Sequence, residues 1–257
     1  MTCGTSQQTS PVVLGAAGAR SLRAVPWRSL TREVVLIGVG GLLYSLVRGL
    51  SDDRVAQALA NAESLIEFER RLGIHIEPGL QAAVVDHHWA VDVANAVYIA
   101  YWPIVFGTAA WLLIAHRPVF ALYRNALLIS GALGLVAFAS FPLAPPRFLD
   151  GFVDTIAAES DGYRRFNASA LVNEYAAMPS LHFGWVLLVG IAIASLAGHR
   201  MVRAVGMALP VLMLAAIVLT GNHFLLDAAV GGVVVLAGLA IARWLRTRFG
   251  SPSSELW

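Results

Sequence analysis

The sequence predicts an all-α, polytopic membrane protein with six transmembrane helices and an amphipathic outer-surface helix between spans one and two. Two observations carry that reading. Of the 257 residues, 58% are hydrophobic and only 13% charged, with a mean hydropathy of +0.68, a balance that an ordinary soluble domain does not reach. The apolar residues also gather into six stretches, at 34–50, 93–114, 126–143, 181–198, 204–219 and 224–242, each near the ~20 residues that a helix needs to cross the hydrocarbon core. The eighteen basic residues are all arginine and scatter between apolar runs instead of forming a patch, which argues against a nucleic-acid partner.

Taken along the chain, residues 1–30 read as a flexible cytoplasmic tail, 31–248 as the six-span membrane domain that carries any chemistry, and 249–257 as a cytoplasmic C-terminal tail. Cys3 is the single cysteine, so no disulfide forms within the chain. Six spans place both termini on one side. Eleven arginines sit on the termini and on the short loops of that side (Arg117 and Arg124, Arg200 and Arg203 among them) against seven on the longer opposite segments. The positive-inside rule makes the richer side cytoplasmic. Between spans one and two, Ser51, Asp52 and Asp53 suit a helix start, and Val55, Leu59, Ala62, Ile66 and Leu72 follow helical spacing until Gly73. Pro78 suits the opening of a second short helix. Pro145–Met178 is long, polar and aromatic, and is expected to lie over the bundle as a lid. Glycines within spans, such as Gly184, Gly231 and Gly238, are expected to let helices approach closely.

Polar groups at three span ends stand out, because ionisable side chains are costly in a bilayer. In Met178-Pro179-Ser180-Leu181-His182, Ser180 suits an N-cap and puts His182 in the first turn of span four, where free N–H groups and the helix dipole attract an anion such as phosphate. In Gly221-Asn222-His223-Phe224-Leu225-Leu226-Asp227, Asn222 suits the cap of span six, and the i, i+4 spacing sets His223 and Asp227 on one face. A carboxylate there fixes the imidazole tautomer and stabilises its cation, as a histidine attacking phosphorus requires. Arg147, in Pro145-Pro146-Arg147 after span three, offers a planar fork for phosphate oxygens. The topology places all three on the extracytoplasmic face.

These motifs resemble the type 2 phosphatidic acid phosphatase superfamily. Pro-Ser-Leu-His at 179–182, His-x-x-x-Asp at 223–227 and Pro-Pro-Arg at 145–147 look most like its branch containing inositol phosphorylceramide synthases, over residues 85–245. The resemblance implies metal-independent phosphoryl or phosphodiester transfer through a phosphohistidine-type intermediate, with no cofactor and no metal. His223 would be the nucleophile, Asp227 its orienting partner and His182 the acid for the leaving oxygen. Ser180, Arg147 and Asn222 would hold the phosphate with first-turn amides. The chain departs from the family pattern twice: it has no lysine for the first motif, and Ile217 stands where the third motif carries an arginine. Arg164 and Arg165 are candidate substitutes.

The implied enzyme sits in the plasma membrane and acts on a lipid phosphate or phospholipid head group, with water or an alcohol such as inositol or a sugar as acceptor. The alternative is a non-catalytic anionic-lipid transporter or binding protein, to which Asp227 would bring nothing. His87 and His88 are adjacent and do not converge as metal ligands, His75 has no visible partner, and His116 and His199 read as boundary residues. Tyr98, Tyr101 and Trp102 are expected to pack or to sit at the interface.

Overall fold

The computed structural model describes residues 31–33, 35, 36, 38–40, 42, 43, 54–156 and 174–249. The first expected span, both tails, Cys3, the Ser51–Asp53 helix start and Arg164 with Arg165 lie wholly or mostly outside those residues. Within them the chain is helical, and the one extended pairing is an isolated parallel bridge between Leu143 and Ala176.

The helices are α1 (Val55–Leu72), α2 (Glu77–Ala82), α3 (His88–Ile99), α4 (Tyr101–Ala115), α5 (Arg117–Ser140), α6 (Leu181–Leu196), α7 (Arg200–Leu219) and α8 (Leu225–Phe249). Among the described residues, α5, α7 and α8 are each long and apolar enough to cross a membrane, and α3 with α4 makes a fourth such element. The expected second span is therefore bent, by 41° at Ala100. Pro103 explains the break, since it lacks an N–H to bond the Ile99 carbonyl and its ring crowds that carbonyl. α6 is apolar but only 16 residues long. Large side chains such as Val136, Val211 and Val233 are exposed on the spans, as expected of a surface facing lipid rather than water.

α6 is the hub, packed by α4, α5, α7 and α8. Close approach demands small residues there. A Cβ on Gly231 would lie 2.2 Å from the Ser180 carbonyl oxygen, and one on Gly184 would lie 2.7 Å from the Gly231 carbonyl oxygen. These contacts draw the N-terminal ends of α6 and α8 together.

α1 ends as expected at Gly73, whose φ of 70° makes the left-handed C-cap that glycine adopts without strain. Its buried face keeps the expected Ala62, with Leu59 and Ile66 half-buried beside it, but is centred on other residues. Ala58, Ala62, Leu65 and Glu69 are buried while Leu72 is exposed, so a carboxylate continues the small-residue stripe. Glu69 is tolerated inside because a helix N-terminus meets it, as described below. α2 opens with Pro78 in its first turn, as expected.

Candidate active site

The site forms where the N-terminal ends of α6 and α8 meet the segment after α5. Ser180 caps α6, its Oγ accepting from the Phe183 N–H at 3.4 Å. Its own N–H donates to the Asp227 carbonyl at 2.9 Å, tying the two helix starts together. His182 follows in the first turn. Its ring stacks on Tyr98 at 4.5 Å and tilts against Tyr101 at 4.2 Å, and lies 5.6 Å from the His223 ring between centroids. Tyr98 and Tyr101 thus do more than the expected packing; they hold the His182 imidazole.

His223 is buried, and its Nδ1 lies 2.9 Å from the Ala177 carbonyl oxygen and 3.4 Å from Asp227 Oδ2. A carbonyl only accepts, so Nδ1 carries the proton and the Nε2 lone pair is left for reaction. The ring is thus oriented first by a backbone carbonyl at 2.9 Å, with the expected Asp227 carboxylate second at 3.4 Å. Ala177 is placed by the pairing of 175–177 with Leu143: the Leu143 N–H donates to Tyr175 O at 2.8 Å, and the Ala177 N–H to Leu143 O at 3.2 Å. Asp227 is fully buried; Oδ2 accepts the Phe224 N–H at 2.9 Å, and Oδ1 accepts no hydrogen bond among the described residues. The carboxylate is thus a helix cap that also faces the imidazole N–H.

Asn222 does not cap α8, correcting the sequence expectation. Its Nδ2 donates to Thr220 Oγ1 at 2.8 Å, and its Oδ1 accepts from Arg147 Nη1. The helix starts three residues later because other groups take its free amides. Glu77 Oε1 accepts from the Leu225 N–H at 2.9 Å and Glu69 Oε1 from the Leu226 N–H at 3.1 Å. Burial, aided by the neighbouring Glu77 charge, pushes the Glu69 carboxyl up to about 8. His75, expected to lack a partner, lies 3.4 Å from Glu69 Oε2 and 3.3 Å from Glu77 Oε2.

Arg147 is nearly buried. Its N–H donates to the Gly221 carbonyl at 2.8 Å, Nε lies 3.3 Å from Asp154, and the guanidinium sits 4.7 Å over the Phe148 ring. Gly221, at φ 67°, turns the chain so that its carbonyl meets Arg147. Buried Gln81 steadies the same corner, donating to Val153 O at 2.8 Å and to Leu219 O at 3.1 Å. Ile217 is buried in the core, so no cation stands at that position. All six predicted residues, Arg147, Ser180, His182, Asn222, His223 and Asp227, belong to one connected site.

A bundle of apolar helices that gathers two histidines, an arginine and a helix N-terminus at one end belongs to the class of membrane-embedded proteins with a cationic, N–H-rich site. The family profile of the PAP2 superfamily matches residues 63–241, and the chain belongs to that superfamily. Membership makes it a phosphatase-type enzyme acting on phosphate esters. Neither the curated proteins nor the solved structures return a match. His116, which precedes α5, and His199, whose Nδ1 accepts the Met201 N–H at 3.2 Å, are helix-boundary residues, as expected, whereas His87 and His88 stand at the start of α3.

Proposed function

We propose that the protein is an integral-membrane lipid phosphatase or phosphotransferase that works through a phosphohistidine at His223, without a divalent cation at the phosphate. The observation that carries this reading is the Ala177 carbonyl on His223 Nδ1, which leaves Nε2 with its lone pair on a ring 5.6 Å from that of His182. Nε2 attacks phosphorus, the bond to the leaving oxygen breaks, and His182, protonated, gives that oxygen its proton. Ala177 O and Asp227 stabilise the positive imidazole ring of the intermediate. A water or alcohol then loses its proton to His182 and attacks phosphorus, breaking the N–P bond and returning both histidines to their starting states. Arg147 and the first-turn amides of α6 neutralise the equatorial oxygens.

The lipid nature of the substrate is supported by an apolar groove of about 340 Å³. Leu65, Phe68, Phe141, Met178 and Leu226 line it, and Met178 and Leu226 adjoin the Pro179-Ser180 and Asp227 positions of the site. The six apolar stretches of the sequence support a six-span topology, and the arginine distribution then supports cytoplasmic termini, an extracytoplasmic site and α1–α2 lying on that outer surface. Transfer to an inositol or sugar hydroxyl follows from the Pro-Ser-Leu-His variant alone.

The test is detergent-purified protein incubated with phosphate-labelled lipids in magnesium-free buffer, with and without inositol. Label is expected to appear on the protein in an acid-labile, alkali-stable bond and then on phosphate or on the alcohol. Turnover without any such trapped label in a rapid-quench series would overturn the covalent route, and lipid binding without turnover would favour a transporter.

A further inference from the structure

Beside the phosphate site, three side chains outside the proposed chemistry converge under the start of α8. Glu69 comes from the last turn of α1, Glu77 from the first turn of α2, and His75 from the loop between them. Each carboxylate spends one oxygen on α8, Glu69 Oε1 on the Leu226 N–H and Glu77 Oε1 on the Leu225 N–H. The other oxygens turn towards His75 Nδ1, at 3.4 Å for Glu69 and 3.3 Å for Glu77. Both glutamates are fully buried, and Glu77 Oε2 accepts no hydrogen bond among the described residues.

We propose that Glu69, His75 and Glu77 form a structural zinc site that clamps the α1–α2 corner onto the N-terminus of α8. The geometry fits tetrahedral zinc. Ligand atoms about 2.0–2.1 Å from a central Zn²⁺ stand about 3.3–3.4 Å apart along the edges of the tetrahedron, the two spacings found here. The three donor atoms all lie within 4.8 Å of one another. One imidazole and two carboxylates form a nitrogen and oxygen set that Zn²⁺ accepts, with water in the fourth position. Charge also closes: one Zn²⁺ balances the two buried carboxylates in their ionised, ligating form. The Leu225 and Leu226 N–H groups orient the ligand carboxylates from outside the coordination sphere. His75, with 10% of its side chain exposed, supplies the path from solvent. On binding, the His75 Nδ1 proton moves to Nε2 or to solvent so that the lone pair faces the metal.

The experiment uses the full chain purified without a histidine tag, stripped with chelator and titrated with Zn²⁺ alone. Bound metal is read by plasma mass spectrometry after desalting, and stability by the thermal midpoint. One Zn²⁺ per chain and a raised midpoint are expected for wild type. His75→Ala and Glu77→Gln should lose both responses, although the amide oxygen that Glu77→Gln introduces still accepts the Leu225 N–H. Cobalt substitution adds a readout in wild type: a tetrahedral nitrogen and oxygen site gives intense visible absorption. Folded wild-type protein that retains no stoichiometric zinc, or variants that retain it equally, would overturn the proposal. In the first case the carboxylates are held by the His75 ring N–H. Metal content is read without any turnover, so failure here is distinguishable from failure of the phosphohistidine route.

Discussion

Two helices begin within one hydrogen bond of each other and are finished in opposite ways. α6 is capped by the residue just before it, Ser180. α8 is capped by its own Asp227 and by Glu77 and Glu69, which stand 148 and 157 positions away along the chain. A neutral local cap leaves the positive end of α6 available for an incoming anion. Carboxylates already fill the start of α8, so that helix cannot also bind phosphate; it instead presents His223 from the loop before it. One N-terminus is an anion site and the other a mount for the nucleophile.

The largest expected effects test that division of labour. His223→Ala removes the covalent route and should abolish turnover, whereas His182→Ala loses only proton donation and return, typically ~10²- to 10⁴-fold. The two should separate with leaving-group acidity. A nitrophenyl phosphate leaves without much protonation, so it should partly restore His182→Ala and never His223→Ala. Steady-state rates with lipid and nitrophenyl substrates check this, and substantial turnover by folded His223→Ala would assign the nucleophile elsewhere.

A middle-sized effect is expected at Asp227. Its carboxylate is 3.4 Å from His223 Nδ1, while the Ala177 carbonyl is 2.9 Å away. Asp227→Asn keeps an acceptor for the Phe224 N–H and leaves the Ala177 bond in place, so the tautomer survives and only the charge is lost. Turnover should fall by on the order of tenfold, ~1.4 kcal/mol of barrier, with lipid binding unchanged. A fall as deep as that of His223→Ala would show that Asp227, not Ala177, sets the tautomer.

The same contrast explains what is legible in the sequence. Ser180 and His182 can be read because the cap and the first turn are contiguous, and a serine before an apolar run has a local mechanism. Arg147 and His223 can be placed together because each sits at the end of an apolar stretch and the expected topology puts those ends on one face. The Asn222 cap fails, since a cap-forming residue before a helix is chosen locally only when nothing distant competes for the amides. Glu69 carries a signal that the apolar periodicity passes over: it falls at helical spacing after Ala58, Ala62 and Leu65, and a carboxylate in a buried stripe requires a partner. The break in span two is also readable, from Pro103. The Ala177 carbonyl leaves no mark, because a backbone acceptor has no residue type.

The smallest expected effects compare the caps themselves. Ser180→Ala removes an N-cap oxygen whose bond to Phe183 N is long, 3.4 Å, and should lower stability by about 1 kcal/mol. Glu77→Ala strips the Leu225 N–H of its acceptor at a buried helix end, a loss of roughly 1–3 kcal/mol. Its removal also relieves repulsion with Glu69, so the isolating comparison is with Glu77→Gln, which sheds the charge but keeps the acceptor. In chelator, where no metal contributes, Glu77→Ala should melt below Glu77→Gln, and that gap should exceed the gap between Ser180→Ala and wild type. Thermal midpoints in one detergent check the order. Equal gaps would mean that the remote cap of α8 is no stronger than the local cap of α6, and that the carboxylates of α1 and α2 are held there by His75 and not by the helix.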